Sequence, residues 1–558
     1  MRARDFDALG STTYDVLVVG GGIHGLATAL DAAARGLSVA LVEAGDFAAA
    51  TSFNHQRTAH GGLRSLQSGR LGYARESIRE RRALARIAPR LLRPLPFMIG
   101  TYRSLVKNRL ALRIGFRVDR WLGRHRNDGL EPELHLPPAK LISRAATLKL
   151  FAGVRQEGLT GGANWYDYQI VQSSRLAIAF AEGADARGAR LVNYAEAIAA
   201  VREDGRVAGM RVRDLLSGAE LDARARITIN CAGPAVNQVM RLFGATAQDV
   251  PLVKAMNLVT SKPASDIALA APPFAKATGD KPATGRMLTL TPWQGRALIG
   301  TWHSDDFKQP SDVTPTTAEI DAFIADANSA FPALKMSRSD VTLVHRGVVP
   351  ARKGTHGRAE LLGTPQLIDH AGHGASGAMT VIGVKYTTAR AVGAKAARMA
   401  AKVLRKHTRD TDTDRAILPG AGIADHEALT IETARAVGLG LAPPIIRHIT
   451  NTYGDRCAAI VRLMAEKSDW RMPLVAGRPN VGAEVIHAIR AEMACTLADI
   501  VIRRTELGAM AHPGTEMVTA AAAIAAEEWQ WDADRRNREI AAIDDFYKLP
   551  DFQISRST

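Results

Sequence analysis

The sequence predicts an α/β fold in which a Rossmann-like dinucleotide-binding domain carries an inserted β-rich domain and is followed by an all-helical C-terminal domain. Three observations predict it. Tyr14 to Glu43 read Tyr-Asp-Val-Leu-Val-Val-Gly-Gly-Gly-Ile-His-Gly, then an alanine-rich helical pattern ending at Arg35-Gly36, then Ser-Val-Ala-Leu-Val-Glu. Residues 250–340 alternate strand-like runs with polar loops. Beyond Leu418-Pro419-Gly420 the pattern is helical to about Phe546, with no strand alternation.

The first stretch is a βαβ unit. The strand from Asp15 to Val19 delivers Gly20, Gly22 and Gly25 in G-x-G-x-x-G spacing. These serve a tight turn, a close approach of backbone to a pyrophosphate, and packing of helix on sheet. The N–H groups of a helix starting near Ile23 then face the phosphates, where the helix dipole favours negative charge. Glu43, at the end of the second strand, is placed to accept hydrogen bonds from ribose hydroxyls and to repel a 2′-phosphate, which disfavours NADP. The motif alone leaves NAD and FAD open.

Downstream, Tyr73 to Ile87 reads as a helix, broken by Pro89, Pro94 and Pro96. A basic helix follows. Arg109, Arg113, Arg117, Arg120 and Arg124 are spaced 4, 4, 3 and 4, and Leu110, Ile114, Val118 and Trp121 repeat beside them. A proline loop, a helix from Arg175 to Arg187, a strand at Arg190 to Asn193 and a hairpin turned at Asp204-Gly205 come next. Ala225 to Asn230 is an apolar strand ending in Cys231-Ala232-Gly233-Pro234. Strands are also expected at Met287 to Leu290, Ala297 to Thr301 and Met379 to Gly383, with a helix from Thr387 to Leu404. Lys406 to Asp414, polar and charged, reads as a linker.

Composition narrows the function. A length of 558 residues with 46% hydrophobic residues is that of a large globular enzyme. Cys231, Cys457 and Cys495 form no C-x-x-C pair, so no disulfide framework or metal site is signalled, in keeping with a reducing cytoplasm. No apolar run approaches the roughly 20 residues that cross a bilayer, and no signal-peptide core precedes the first strand. The net charge of +16 is concentrated between Arg81 and Arg126, where thirteen Lys or Arg residues face one acid, Asp119. The helix across 105–124 is therefore expected on an anionic membrane surface, with a core-packed amphipathic helix as the alternative. With 5% aromatic residues and no interleaved stacking pattern, nucleic acid is not an expected partner.

Further motifs carry a resemblance. Thr51-Ser52, His60-Gly61-Gly62-Leu63-Arg64, the Gly45-to-Ala48 run, Glu76 to Arg81, Ala88-Pro89, Ile382 to Thr388, Leu418-Pro419-Gly420, Thr452-Tyr453-Gly454 and Arg503-Arg504-Thr505 occur in the order found in FAD-dependent glycerol-3-phosphate dehydrogenases. The chain resembles that family over almost its whole length. The resemblance implies a flavin domain of the glutathione-reductase/D-amino-acid-oxidase type in segments 1–95, 166–250 and 346–405, a basic helix and cap at 96–165, a β-rich substrate domain at 251–345 and a helical domain at 406–558. It implies FAD held by Gly20, Gly22, Gly25, Glu43, Thr51, Ser52, Gly61, Gly62, Gly233, Gly383, Lys385 and Thr387. It also implies oxidation of sn-glycerol 3-phosphate, or a related polyol phosphate, to glycerone phosphate by hydride transfer to flavin N5. Electrons would pass to a quinone at the inner face of the cytoplasmic membrane, and a homodimer is open.

His60 has the intrinsic pKa of a general base, the alternative being a histidine that only hydrogen-bonds cofactor or backbone. Arg64 and Lys385 are the matching anchors for an anionic substrate. The chain departs from the family at Arg57, where Lys is usual, and at Ser65, where Tyr is usual. Val349 replaces a phosphate-binding Arg, Gln172 and Ser173 replace two acids, and His370 aligns near a second arginine. Arg57, Arg346, Arg352, Lys353, Arg358 and His370 are accordingly further substrate-binding candidates. Three alternatives follow: an oxidase of the amino-acid oxidase type, a dehydrogenase of a non-phosphorylated alcohol, and a flavin-bearing binding protein with a decayed pocket.

Overall fold

The structure, a computed structural model, describes residues 1–62, 69–102, 109–151, 153–273, 287–354, 358–422 and 425–548. Its first sheet comprises β1 (Tyr14–Val19), β2 (Val39–Val42), β7 (Arg190–Val192), β10 (Glu220–Asn230), β17 (Gln366–Asp369) and β18 (Ala378–Ile382), in the order β17-β18-β10-β1-β2-β7. All neighbours are parallel except β17 with β18. A hairpin of β8 (Ala195–Glu203) and β9 (Arg206–Asp214), turned at Asp204-Gly205, extends from β10. Every residue of β1 and β2 is buried, as a parallel sheet covered on both faces requires. Helix α1 (Ile23–Ala34) covers one face through Leu26, Ala29, Leu30 and Ala33. A Cβ on Gly393, in the helix Ala389–Val403 against it, would lie 2.6 Å from the Ala27 carbonyl carbon, so the two helices touch backbone to backbone.

The second sheet runs β16-β15-β11-β14-β13-β12-β4-β6-β3, with β5 beside β6. Its members are β3 (Thr58–Ala59), β4 (Leu92–Tyr102), β5 (Lys140–Ile142), β6 (Leu159–Ile170), β11 (Leu252–Pro263), β12 (Ala268–Ala271), β13 (Leu288–Trp293), β14 (Arg296–His303), β15 (Val341–Lys353) and β16 (Ala359–Leu361). The sequence places no strand at Pro94 and Pro96, yet both lie in β4, opposite Tyr168 and Tyr166 of β6. They share one register, so their missing N–H groups fall on one edge. That edge gains a partner strand, β12, only from Phe97 onward, and proline is tolerated on an open edge. Gln294-Gly295, both at positive φ, makes the tight turn between β13 and β14. Helix Thr317–Ala330, opened by a Thr316/Glu319 capping box, packs Ile320, Phe323 and Ala327 on this sheet.

The C-terminal region is helical, ending in Thr515–Trp529 and Ala533–Tyr547. One of its apolar clusters, with Ile449, Tyr453, Ile460, Trp470 and Ile486, is its own, and a second is shared. Val485, Leu497, Val501, Ala521 and Ile543 share one apolar cluster with Phe53, Val259, Trp293 and Leu343 of the other two parts. The expected linker is pinned as well: Lys406 pairs with Asp15, and Thr411 and Thr413 donate to Asp31.

Candidate active site

A cleft of about 2180 Å³ opens between the two sheets. Small-molecule sites usually span about 300–1,000 Å³, so this one has room for a dinucleotide and a substrate together. Its cofactor end is built from β1, α1 and the loop after β2. Gly20 has φ +108°, and a Cβ there would lie 2.6 Å from the Cys231 carbonyl oxygen. A Cβ on Gly25 would lie 1.8 Å from the Gly20 oxygen, so the motif closes only with glycine at both positions. Glu43 accepts from the Gly21 N–H at 2.6 Å and the Gly45 N–H at 2.8 Å. Ser52 Oγ accepts from the Ile23 N–H at 2.9 Å, covering the start of α1. Thr51 Oγ1 is buried without a partner among the described residues, and it lies on the wall of the cleft beside Gly22, Ser52 and Gly233. An orphan hydroxyl beside a helix N-terminus and a side-chain-free cradle fits a bound diphosphate.

The reactive end is set by the His60 strand exit and the turn after β18. The His60 N–H donates to Thr387 Oγ1 at 3.1 Å, which brings His60 to the segment of Gly383 and Lys385; all three line the cleft. The Lys385 ammonium lies 4.5 Å from the centre of the Tyr73 ring. Gly61 donates to Asp167 Oδ1 at 2.7 Å, and Asp167 is paired with Arg81. A Cβ on Gly61 would lie 2.5 Å from Arg81 Nη1, and one on Gly62, at φ +76°, 2.9 Å from the Ser77 Cβ. The Glu76-to-Arg81 motif thereby acquires a reason: Glu76 pairs with Lys395, Glu80 with Arg390, and Arg81 with Asp167, locking this helix (Leu71–Ile87) behind His60.

The remaining candidates are placed as follows. Arg352 and Arg358 line the cleft, Arg352 in a 2.8 Å pair with Glu360. Arg346 is half-buried outside the lining and donates its N–H to Asn54 Oδ1 at 3.4 Å, while Lys353 is exposed on β15. His370 is fully buried, its Nε2 2.8 Å from Thr380 Oγ1. Arg57 is fully buried and off the lining, its guanidinium carbon 4.3 Å and 5.1 Å from the ring centres of Trp293 and Phe53. Burial lowers Arg57 to about 10, against the pull of Glu506 and Tyr386, and its guanidinium nitrogens have no hydrogen-bond partner among the described residues. Arg64, Ser65 and residues 105–108 of the basic helix lie outside the described residues.

Several wall residues carry no sequence signal. Asn257 Oδ1 accepts from Gln56 Nε2 and Thr301 Oγ1, each at 2.9 Å. His55 stacks on Tyr386 at 4.7 Å, and burial holds its imidazole well below the usual value. His24 lines the cleft against Gly383 and is pushed down to about 4 by burial, hence neutral. Of these, His24 and Tyr386 sit inside motifs legible from sequence.

Comparison with known proteins decides the family. A family profile described as "FAD dependent oxidoreductase" matches residues 15–391, and one described as "C-terminal domain of alpha-glycerophosphate oxidase" matches residues 411–536. A glycerol-3-phosphate dehydrogenase of Mycobacterium leprae is 30% identical over 97% of this chain and 89% of its own length. The chain belongs to the FAD-dependent glycerol-3-phosphate dehydrogenase family. A second family member, from Synechocystis sp., is 29% identical over 98% of this chain and 99% of its own. Family architecture extends to the fold. The crystal structure of a glycerol-3-phosphate dehydrogenase from Bacillus halodurans complexed with FAD superposes with a TM-score of 0.73, at 22% identity, over 98% of both chains. An L-alpha-glycerophosphate oxidase from Mycoplasma pneumoniae, also with FAD bound, covers 72% of this chain and 99% of its own at TM-score 0.50 and 16% identity. The cofactor of this family member is FAD, and the chain is an FAD-dependent oxidoreductase.

Proposed function

We propose that this enzyme oxidises sn-glycerol 3-phosphate, or a closely related polyol phosphate, to the corresponding ketone. The observation that carries the reading is the His60–Thr387 contact, which joins a base and a cation, Lys385, on one wall of the cofactor cleft. FAD, when bound, supplies a two-electron acceptor. His60 takes the hydroxyl proton of the secondary alcohol, and Thr387 and the Arg81–Asp167 pair hold the His60-Gly61 backbone in place for it. Lys385 and Arg64 attract the phosphate, with Arg352 and Arg358 as further cations on the wall. The relatives, named glycerol-3-phosphate dehydrogenases over nearly their whole length, support this substrate.

Val349, an apolar residue on the wall, favours a second reading, a non-phosphorylated alcohol. Anaerobic bleaching of the flavin separates the two: reduction by glycerol 3-phosphate but not glycerol supports the first, and the reverse supports the second. Oxygen consumption with amino acids would instead support an oxidase.

The proposal extends to a quinone as electron acceptor and to peripheral attachment at the inner face of the cytoplasmic membrane. No helix among the described residues is long and apolar enough to cross a membrane. Helix Arg109–Leu122 turns Leu112, Phe116 and Val118 toward the cleft, while Trp121 is 65% exposed and Arg113, Arg117 and Arg120 face outward. An apolar acceptor entering beneath that helix would need no water-filled path. Dye-linked against quinone-linked turnover, and sedimentation for a homodimer, test these parts.

A further inference from the structure

Asp46 lies three residues beyond Glu43, in the loop that closes over Gly21, where the Ala48 N–H donates to the Gly21 oxygen at 3.0 Å. It is fully buried among partners from another part of the molecule. Arg503 Nε donates to Asp46 Oδ2 at 2.5 Å, and Arg504 donates to both oxygens, at 2.7 and 2.6 Å. Both arginines belong to a π-helical turn, Asp499–Arg504, of the helical tail. That turn is itself fixed: Arg504 Nε donates to the Glu492 carbonyl at 2.9 Å, Arg503 pairs with Asp499, and Asp499 accepts from the N–H groups of Cys495 and Thr496 and from the Tyr194 hydroxyl. Two cations and two anions are closed off from water. The set is neutral with all four present, and losing any one of them leaves a net charge.

Glu43 stands next to this set. The groups facing it are Asp46 on its own loop, Arg503 from the tail, and the N–H groups of Gly45 and Gly21, with Arg504, Asp499 and the Tyr194 hydroxyl behind them. Only an ionised carboxylate keeps both oxygens as acceptors for a ribose diol. We propose that Arg503 and Arg504 are positioning residues for FAD: by neutralising Asp46 from the helical domain, they fix the ribose loop and keep Glu43 charged. The proposal rests on Glu43 being the ribose ligand. Burial raises Glu43 above the usual carboxylate range, the Gly45 and Gly21 N–H groups oppose that, Asp46 adds to it and Arg503 subtracts from it. Asp46 itself, despite burial, is held well below that range by Arg504 and Arg503. Removing Arg503 therefore leaves an uncompensated anion beside Glu43, whereas removing the Asp46 charge leaves an excess cation.

The test is titration of apoprotein with FAD, followed by flavin fluorescence, between pH 4.5 and 8. Affinity falls as pH drops through the Glu43 titration. In R503Q that midpoint moves up, weakening FAD by about tenfold for each unit moved. In D46N it moves down, R503Q/D46N returns toward the parent, and R503K stays near it. A role limited to stability would lower apoprotein melting without moving the midpoint in opposite directions. E43Q abolishes the pH dependence; if it keeps the parental profile, the ribose reading of Glu43 is wrong. If E43Q abolishes it but R503Q leaves the midpoint unmoved, the positioning proposal is overturned. Should D46N not fold, R503Q against R503K decides alone.

Discussion

Gly383→Ala probes how the turn after β18 closes on α1. A Cβ at that position would lie 2.3, 2.4 and 2.5 Å from Cε1, Nε2 and Nδ1 of His24, where ordinary contact begins at 3.4 Å. Ring or turn must therefore yield by about 1 Å, in a region closed around the His24 Nε2. Overpacking of this kind costs about 1–3 kcal/mol, or about 5- to 150-fold in an equilibrium constant. Both residues face the cofactor cleft, so the cost falls on FAD affinity. The second variant of the cycle is His24→Ala. Because burial holds His24 down to about 4, truncation at pH 7 removes shape and no charge. Fluorescence titration of the apoproteins should show G383A weakened and H24A/G383A tighter than G383A alone. The reasoning fails if G383A binds FAD within threefold of the parent, or if the double variant is no tighter than G383A.

His60→Ala should slow anaerobic flavin reduction by about 10²- to 10⁴-fold with FAD still bound; reduction at the parental rate would remove His60 as the base. Glu80→Gln strands Arg390, which donates to both Glu80 oxygens at 2.7 and 2.6 Å in a buried pair. A loss of about 3–5 kcal/mol is expected in denaturant unfolding, with a much smaller loss for E80M/R390M. Equal losses in the two variants would contradict that account. The low His24 value also gives a sign: between about pH 4 and 6.5 the folded chain binds fewer protons than the unfolded one. Stability is therefore full above that window and declines as pH falls through it, and His24→Asn should flatten the decline in melting temperature. Co-sedimentation with anionic vesicles should weaken with salt and in R117E/W121A, and equal binding to neutral vesicles would argue against the basic helix as the contact.

What was legible in the sequence was what backbone geometry dictates at fixed spacing. Gly20 and Gly25 admit no Cβ, and their positions follow from one strand and one helix start, so the glycine spacing sufficed to place the tight turn between β1 and α1. β4 was hidden because proline is a strand breaker only where the missing N–H has a partner, and the open edge at Pro94 and Pro96 is a tertiary fact. Asn257, Gln56 and Thr301 were hidden for a related reason. They converge from three distant segments, and single polar residues in strands and loops have no periodicity. The polar stretch at 406–414 reads as a tether because its partners, Asp15 and Asp31, belong to the first βαβ unit, some 380 residues earlier in the chain.

The departures from the family pattern take on a different weight once placed. Of Arg57, Gln172, Ser173 and Val349, only Val349 lies on the cleft wall. Ser173 is buried and takes the Tyr386 hydroxyl on its carbonyl at 3.2 Å, and Gln172 precedes the helix Ser173–Ala186, whose Arg175 pairs with Glu492 of the tail. Arg57 rests on two aromatic rings, which stabilise a desolvated guanidinium through their faces, with the buried Glu506 supplying the opposing charge. Three of the four changes thus sit in the layer between the reactive turn and the helical tail. Changes there bear on how the tail packs behind Tyr386 and His55. The cleft is altered at one described wall position and keeps Lys385, Arg358 and, in its pair with Glu360, Arg352 on its wall, in keeping with the proposed anionic substrate. Val349→Arg should then lower KM for glycerol 3-phosphate while leaving kcat near the parental value. A rise in KM would mean that Val349 packs against the substrate and that the retained cations already carry its charge.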